Sequence, residues 1–441
     1  MQVIRGDAAP QREIPGEARA ALPDFGAIRH GLMLQLNEQL VLDYVHAHGV
    51  TTRPEIAADL GLSAATVSRV IRRLVGRDLV HEEPGRSTGG RPRTTISFNA
   101  LSGCVIGIDL GGTKCHAMLA DLTGELLVEE VRGSDEDGSP FETLVASIDR
   151  LTRRPERAGA PLAAVAVGVP AIVDPVTGVA IGGPNVKWHG FPLVPTLRER
   201  LDVPFAVEND VNLAALGHAW KGDARGLSDF VVLSLGTGIG AAVVVDGRLL
   251  RGRKSGAGEV GYMVLDRELL RAARPGHLGS FETLASGVGV AELTRLALED
   301  DDRTSSLRDL GHAPSPREVF EAADTGDPLA KDLVAAVVDH VAMAVIAVGS
   351  VVDSDVVVLD GSVGLALGRW APDIESLSAA HLPSSPRVVI SSLAGEATAI
   401  GAVAAALDLF RSGRGPRPSA AVGTTMPRPF VTETAMTRAT T

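Results

Sequence analysis

Asp109-Leu110-Gly111-Gly112-Thr113-Lys114 carries the residue types best suited to hold a phosphate chain. One apolar run, Val105-Ile106-Gly107-Ile108, leads into it, and another, Ala117-Met118-Leu119-Ala120, follows. That order reads as strand, tight glycine turn, strand. Glycine lets a backbone approach a ligand closely because no Cβ stands in the way. The amides of Gly111 and Gly112, the Thr113 hydroxyl and the Lys114 ammonium can all point at phosphate oxygens. Asp109, at the end of a buried strand, can hold a metal ion or its water. A plain hairpin would use the same turn, so the reading depends on partner motifs downstream.

Such partners exist. Gly236-Thr237-Gly238 follows the strand Phe230–Leu235 and precedes Ala241–Val245, repeating the strand, Gly-Thr turn, strand design. Two such hairpins across a cleft could clamp one polyphosphate from both sides. Gly361 opens a third glycine turn, after Val356–Asp360. Asn209-Asp210 ends a short strand, and Val211–Trp220 reads as the helix that follows. A carboxylate there can take a proton from a substrate hydroxyl, or it can simply cap the helix. Glu259 and Tyr262 lie on a glycine-rich loop, and Glu282 precedes a helix that includes Val290–Leu298. Carboxylates beside an Asn-Asp pair suit a polyhydroxylated ligand. Taken alone, either glutamate reads as a solvated surface charge.

The elements that would position these residues alternate between strand and helix from residue 100 to 412, the α/β pattern. A different unit precedes them. After residues 1–27, a proline-punctuated arm expected to be disordered, a helix from Ile28 to His48 presents Leu32, Leu36, Leu40, Val41, Leu42 and Val45 as one apolar face. Thr52-Arg53-Pro54-Glu55 is a capping box. The helix it opens ends at Gly61-Leu62-Ser63, and Ser63 caps a second helix, Ala64 to Val75. Val67, Val70, Ile71 and Leu74 face inward; Ala65, Thr66, Ser68, Arg69, Arg72 and Arg73 face outward. Helix, three-residue glycine turn, helix is DNA-binding spacing, with small residues at the tip and arginines beyond. Strands at Leu79–Glu82 and Thr94–Phe98 flank a loop with Gly-Gly-Arg91-Pro-Arg93, a cationic wing suited to a minor groove. The alternative for residues 28–99 is a helical protein-interaction module with a solvated arginine face.

Charge agrees with a local nucleic-acid contact. The chain of 441 residues has a net charge of −12, yet residues 63–93 hold seven arginines against three acidic residues. Apolar content of 45% supports buried cores, and aromatics at 3% leave the packing to Val, Ala and Leu. No uncharged apolar run reaches the ~18 residues of a membrane span. The two cysteines, Cys104 and Cys115, cannot build a disulfide framework and are expected as buried fillers. With no apolar signal-peptide core at the N-terminus, the expected location is cytoplasmic. From Arg411 on, Gly, Pro, Ser and Thr dominate, so residues 413–441 are expected to be a disordered tail.

With these residues in place, the chain resembles the ROK family (repressors, open reading frames and kinases), in the subgroup that joins a winged helix-turn-helix to a sugar-kinase-like domain. The resemblance implies an actin/hexokinase-like fold of two α/β lobes with a cleft for ATP and sugar. It matches Asp109, Gly111, Gly112, Thr113 and Lys114 to the first phosphate motif, Gly236, Thr237 and Gly238 to the second, and Gly361 to the adenosine side. It implies that Asn185, Asn209, Glu259 and Glu282 bind sugar, with Asp210 as catalytic base. Three departures stand out. Tyr262 occupies the place of the family's histidine, and Arg274–Phe281 lacks the family's zinc-binding cysteines, so no structural zinc is expected. Asp360 stands where a glycine is usual and is expected to repel nucleotide. The resemblance implies a regulator that binds operator DNA as a homodimer or tetramer and responds to a sugar, with an ATP- and Mg-dependent sugar kinase as the alternative.

Overall fold

The computed structural model describes residues 25–84, 94–182, 188–271, 278–300 and 302–412. Arg91, Arg93 and Asn185 lie outside them, as do residues 1–24 of the arm and the tail 413–441. The chain divides into two compact units, residues 1–98 and 99–441.

The first unit runs α1 (Phe25–His48), β1 (Thr51–Thr52), α2 (Arg53–Leu60), α3 (Ala64–Gly76), β2 (Val80–Pro84) and β3 (Thr94–Phe98). α1 begins three residues before the expected Ile28, since nothing after Pro23 breaks a helix. The Glu55 carboxylate accepts from the Thr52 amide (2.9 Å) and the Thr51 hydroxyl (3.1 Å), fixing the start of α2. Gly61 ends that helix at φ +63°, the left-handed conformation in which glycine carries no Cβ penalty. The Ser63 hydroxyl accepts from the Thr66 amide at 3.1 Å and starts α3. Val67, Val70, Ile71 and Leu74 close on Val41, Val45, Ile56 and Ile96 as a core. Leu36 and Leu40 depart from the expected inward face of α1: they are 50% and 49% exposed. They lie on the face of α1 opposite the buried line of Glu38, Val41 and Val45. β1 pairs with β3, which also pairs antiparallel with β2 from Val80↔Phe98 to Pro84↔Thr94. Residues 85–93, which join β2 to β3, lie outside the described residues.

The second unit repeats one design. β4 (Cys104–Leu110), β5 (Lys114–Asp121) and β6 (Leu126–Gly133) form an antiparallel meander. α4 (Pro140–Thr152) crosses to β7 (Leu162–Val169), parallel to β4. A small pair, β8 (Ile172–Val173) and β9 (Ala180–Ile181), and α5 (Leu193–Arg200) precede β10 (Phe205–Asn209), parallel to β7. α6 (Asp210–Lys221) follows. The second sheet starts the same way, with β11 (Phe230–Leu235), β12 (Ile239–Val245) and β13 (Arg248–Leu249) antiparallel. Four helices come next: α7 (Glu282–Ala285), α8 (Gly287–Asp300), α9 (Pro316–Thr325) and α10 (Pro328–Val352). β14 (Val356–Asp360), α11 (Gly361–Ala366), α12 (Ala371–Ala379), β15 (Arg387–Ile390) and α13 (Ala397–Arg411) complete the chain. The sheet orders, β10-β7-β4-β5-β6 and β13-β12-β11-β14-β15, are the same topology twice.

α6 and α13 pack closely together. Gly107 brings β4 against α13, since a Cβ there would lie 2.4 Å from the Val403 amide nitrogen. α10 is long and apolar enough to cross a membrane by composition, but Val334, Val337, Val341 and Val345 are buried in the core of the second lobe. Cys104 and Cys115 are free and buried, and burial pushes both thiols up.

Candidate functional site

Each sheet ends its first strand in a glycine turn. In the first, the Gly111 amide donates to the Lys114 carbonyl at 2.8 Å. Ser134 braces the turn: its hydroxyl donates to the Gly112 carbonyl (2.8 Å) and its amide to the Thr113 carbonyl (3.1 Å). Gly112, Thr113 and Lys114 remain exposed. Asp109, at the buried end of β4, is only 9% exposed. Burial raises its pKa to about 6, against the pull of the Lys114 ammonium and with a push from the Asp360 carboxylate.

In the second turn the Gly236 amide donates to the Gly238 carbonyl (2.9 Å), and the Gly287 amide donates to the Gly236 carbonyl (2.7 Å). Gly361 sits against this turn at φ +79°; a Cβ there would lie 2.6 Å from the Leu235 carbonyl oxygen and 3.0 Å from the Gly236 nitrogen. Only glycine meets both demands. Residues 361–364 were expected as a further turn, but Gly361 instead opens α11. Beside Thr237 and Ser362 lies a cavity of about 530 Å³, walled on one side by Val288, Ala291 and Arg295 of α8.

Asp360 is buried at the end of β14. Its side chain is 6% exposed, and Oδ2 lies 3.8 Å from Nε2 of the fully buried His218. Burial pushes its pKa up, but the hydrogen bond and charge of His218 and the Gly361 amide outweigh that and hold it below the usual range. His218 Nδ1 in turn lies 3.2 Å from Asp223. One carboxylate oxygen is thus turned onto His218, while the Asp360 charge is still felt at Asp109.

At the β10–α6 junction, the capping alternative falls to the neighbouring residue. Asn209 is the N-cap; its Oδ1 accepts from the amides of Val211 (3.0 Å) and Asn212 (3.2 Å). Asp210 is the first helical residue, and its carboxylate accepts from the Val211 amide at 2.9 Å. Burial raises the Asp210 pKa to about 7, helped by the Asp109 and Glu259 carboxylates and opposed by the Val211 amide. Asp210 therefore feels both Asp109 and Glu259, which lie far from it in sequence on either side. Burial and the Glu282 charge push Glu259 up, and Tyr262, 63% exposed, is raised by burial, Glu282 and Glu259.

Glu282 is no solvated surface charge. One oxygen accepts from the Ile239 amide (3.0 Å) and the other from the Gly279 amide (2.8 Å). It ties the second glycine turn to the segment ahead of α7. Glu208, Asn212, Arg251 and His218 belong to the same region and were not singled out from sequence. A glutamate and a histidine inside otherwise apolar segments are the signal that was available, since buried charges need partners.

Because the folded Asp210 and Asp109 hold protons that an unfolded chain releases near pH 3.8, they cost stability as pH rises from about 4 to 7. Asp210→Asn removes one of them. Its Tm is expected to exceed that of the wild type at pH 8, by about 1–3 kcal/mol in stability, and to fall less between pH 4 and 8. Thermal melts across that range check it; equal slopes would show that Asp210 ionises freely.

The ROK family profile matches residues 105–408. The chain belongs to the ROK family. Among its relatives is the xylose repressor of Caldicellulosiruptor bescii, 27% identical over 337 residues, with 75% of this chain and 84% of the repressor covered. A solved ROK family transcriptional regulator, described as a homologue of the Escherichia coli MLC protein, superposes with a TM-score of 0.71 at 23% identity, over 86% of this chain and 96% of that one. The ROK family glucokinase of Streptomyces griseus, solved with glucose and AMPPNP, matches with a TM-score of 0.58 at 25% identity, over 69% and 99%.

Proposed function

We propose that this protein is a sugar-responsive, DNA-binding repressor of carbohydrate-metabolism genes, acting in the cytoplasm on operator DNA. One observation carries the reading: a winged helix-turn-helix with an exposed arginine face shares its chain with a ROK unit whose carboxylates converge at the lobe junction. α3 inserts into the major groove, with Ala65, Thr66 and Ser68 near base edges and Arg69 and Arg72 reaching bases or phosphates. Arg91 and Arg93 of the wing contact a minor groove. The protein binds as a homodimer or tetramer on a two-fold site. A sugar or sugar derivative occupies the cleft at Asn185, Asn209, Asp210, Glu259, Tyr262 and Glu282. The similarity to a xylose repressor supports a sugar effector. A sugar shifts the equilibrium only by its preference for one lobe arrangement, about 5.5 kcal/mol for a near-complete switch. Gel shifts on the operator with a panel of pentoses, hexoses and amino sugars test this. If neither a sugar nor its phosphate changes operator affinity, sensing is excluded.

A second reading, a sugar kinase, is favoured by the pKa of Asp210 near 7, which suits a general base at neutral pH. The cavity beside Thr237 and the close approach of Gly361 to the Gly236 turn fit a nucleotide. Gly111, Gly112, Thr113, Lys114, Gly236, Thr237, Gly238 and Gly361 would hold ATP, and Asp109 its Mg. Bound ATP would supply the phosphoryl group. Asp210 would accept the proton of the attacking sugar hydroxyl at its carboxylate, and Asn209 would orient that hydroxyl. ADP release with the same sugar panel, lost in Asp210→Asn, would add this activity to the regulator.

A further inference from the structure

Glu208 lies on β10 of the first sheet, and Arg251 lies just after β13 of the second. Arg251 Nε is 2.7 Å from Glu208 Oε2, with 13% and 5% of their side chains exposed. The other Glu208 oxygen accepts from the Asn209 amide (3.1 Å) and from Asn212 Nδ2 (3.0 Å). One carboxylate therefore grips both the strand end that carries Asn209 and Asp210 and the first turn of α6.

Arg251 is anchored just as firmly to the opposite half of the site. Its carbonyl accepts from the Ala257 amide at 3.1 Å, closing the loop that leads to Glu259 and Tyr262. The next turn is pinned to β12, where the Ala241 amide donates to the Gly258 carbonyl at 2.7 Å. Gly258 has φ +92°, and a Cβ there would lie 1.8 Å from the Ala241 carbonyl oxygen. The loop thus cannot shift far without moving Arg251.

A buried ion pair is a poor device for stability alone, because desolvation cancels most of its attraction and apolar residues would serve as well. It is directional, however, and here each partner also holds backbone next to candidate ligand groups. Among the described residues, Arg251 Nη2 and Asn212 Oδ1 are buried without hydrogen bonds. The junction therefore keeps a spare donor and a spare acceptor for re-pairing. Resting on the sugar-site reading above, we propose that Arg251, acting through Glu208, is the positioning residue that couples the two halves of the ligand site. A ligand held by the Glu259 loop is thereby felt at Asn209, Asp210 and α6.

The test uses the full chain with Arg251→Gln, Glu208→Gln and the charge-keeping Arg251→Lys. Operator affinity is measured with and without saturating xylose or glucose, and sugar affinity by calorimetry. Operator affinity without sugar is expected to stay at the wild-type value in all three. In the two glutamine variants the sugar-induced change in operator affinity is expected to fall about tenfold, within the range of allosteric couplings, and Arg251→Lys recovers part of it. A variant that binds sugar more weakly yet keeps the wild-type ratio at saturation overturns the proposal. Hydrogen exchange judges it independently of which sugar acts, and of whether one acts at all. Glu208→Gln is expected to speed exchange at the Ala257 amide on the other lobe, and Arg251→Gln at Asn209 and Asn212. Loosening confined to the mutated lobe overturns the coupling. A wild type that ignores every sugar removes the sensing reading, while the exchange result still decides the strut.

Discussion

Gly401→Leu is expected to abolish folding of the second unit, and Gly401→Ala to destabilise it by about 3–5 kcal/mol, as overpacking against backbone does. A Cβ on Gly401 of α13 would lie 1.7 Å from the Leu213 carbonyl oxygen and 2.9 Å from the Gly217 nitrogen of α6. Both neighbours are backbone, so no rotamer change can relieve the clash. α6 has no room to retreat, because Val211, Ala214 and Ala215 pack into the core formed by β11, β12 and β14. Gly217 makes the reciprocal contact, its Cβ position falling 2.2 Å from the Ala397 carbonyl oxygen. Any variant that still folds must separate the helices and carry Asp210, the first residue of α6, out of register with Asp109. Gly368→Ala is the control: nothing lies within 4 Å of its Cβ position, and its effect is expected within about 0.5 kcal/mol. Urea unfolding of the three proteins checks this. A Gly401→Ala midpoint equal to the wild type would mean the two helices are not in close contact.

Arg69→Ala is expected to weaken operator binding by about 1–3 kcal/mol, ten- to a hundredfold, and to relax specificity at one base position. Arg72→Ala is expected to weaken binding to all sequences alike and to flatten the salt dependence by about one unit of slope. The structure separates these two from Arg73. Arg69 and Arg72 are exposed on α3, with Arg72 Nε donating to the Ser68 carbonyl of its own helix at 3.3 Å. Arg73 instead pairs with Glu38 of α1, which is 8% exposed and also lies 3.5 Å from Arg77. Arg73→Ala leaves that buried carboxylate with a weaker partner, so it is expected to lower the Tm of the first unit along with affinity. Anisotropy titrations at several salt concentrations, with melts of each variant, distinguish the roles. Loss of binding in Arg73→Ala at an unchanged Tm, with Arg69→Ala silent, would reverse the assignment.

Local chemistry was legible in the sequence. Ser63 at the start of α3, Gly61 at φ +63° and the inward set Val67, Val70, Ile71 and Leu74 follow from capping, backbone freedom and helical period, which act over a few residues. The same holds for the two glycine turns and for Asn209-Asp210 at a strand-to-helix junction. The exposure of Leu36 and Leu40 was not legible, because α1 has apolar residues on two sides and only the side of Glu38, Val41 and Val45 meets a partner. Nor was it legible that Asn209 rather than Asp210 is the cap, which turns on where the backbone changes from extended to helical.

The sequence alone determined which residues can grip phosphate, hydroxyls and DNA, because those capacities belong to side-chain type and short spacing. The tertiary structure decided which of them meet. It put Asp109 of one sheet within electrostatic reach of Asp360 of the other, and turned Asp360 onto His218. It made Glu282 a clamp on two backbone amides and joined Glu208 to Arg251 across the lobes. Those pairings depend on how two sheets of one topology pack around α6 and α13, a long-range geometry that no window of sequence contains.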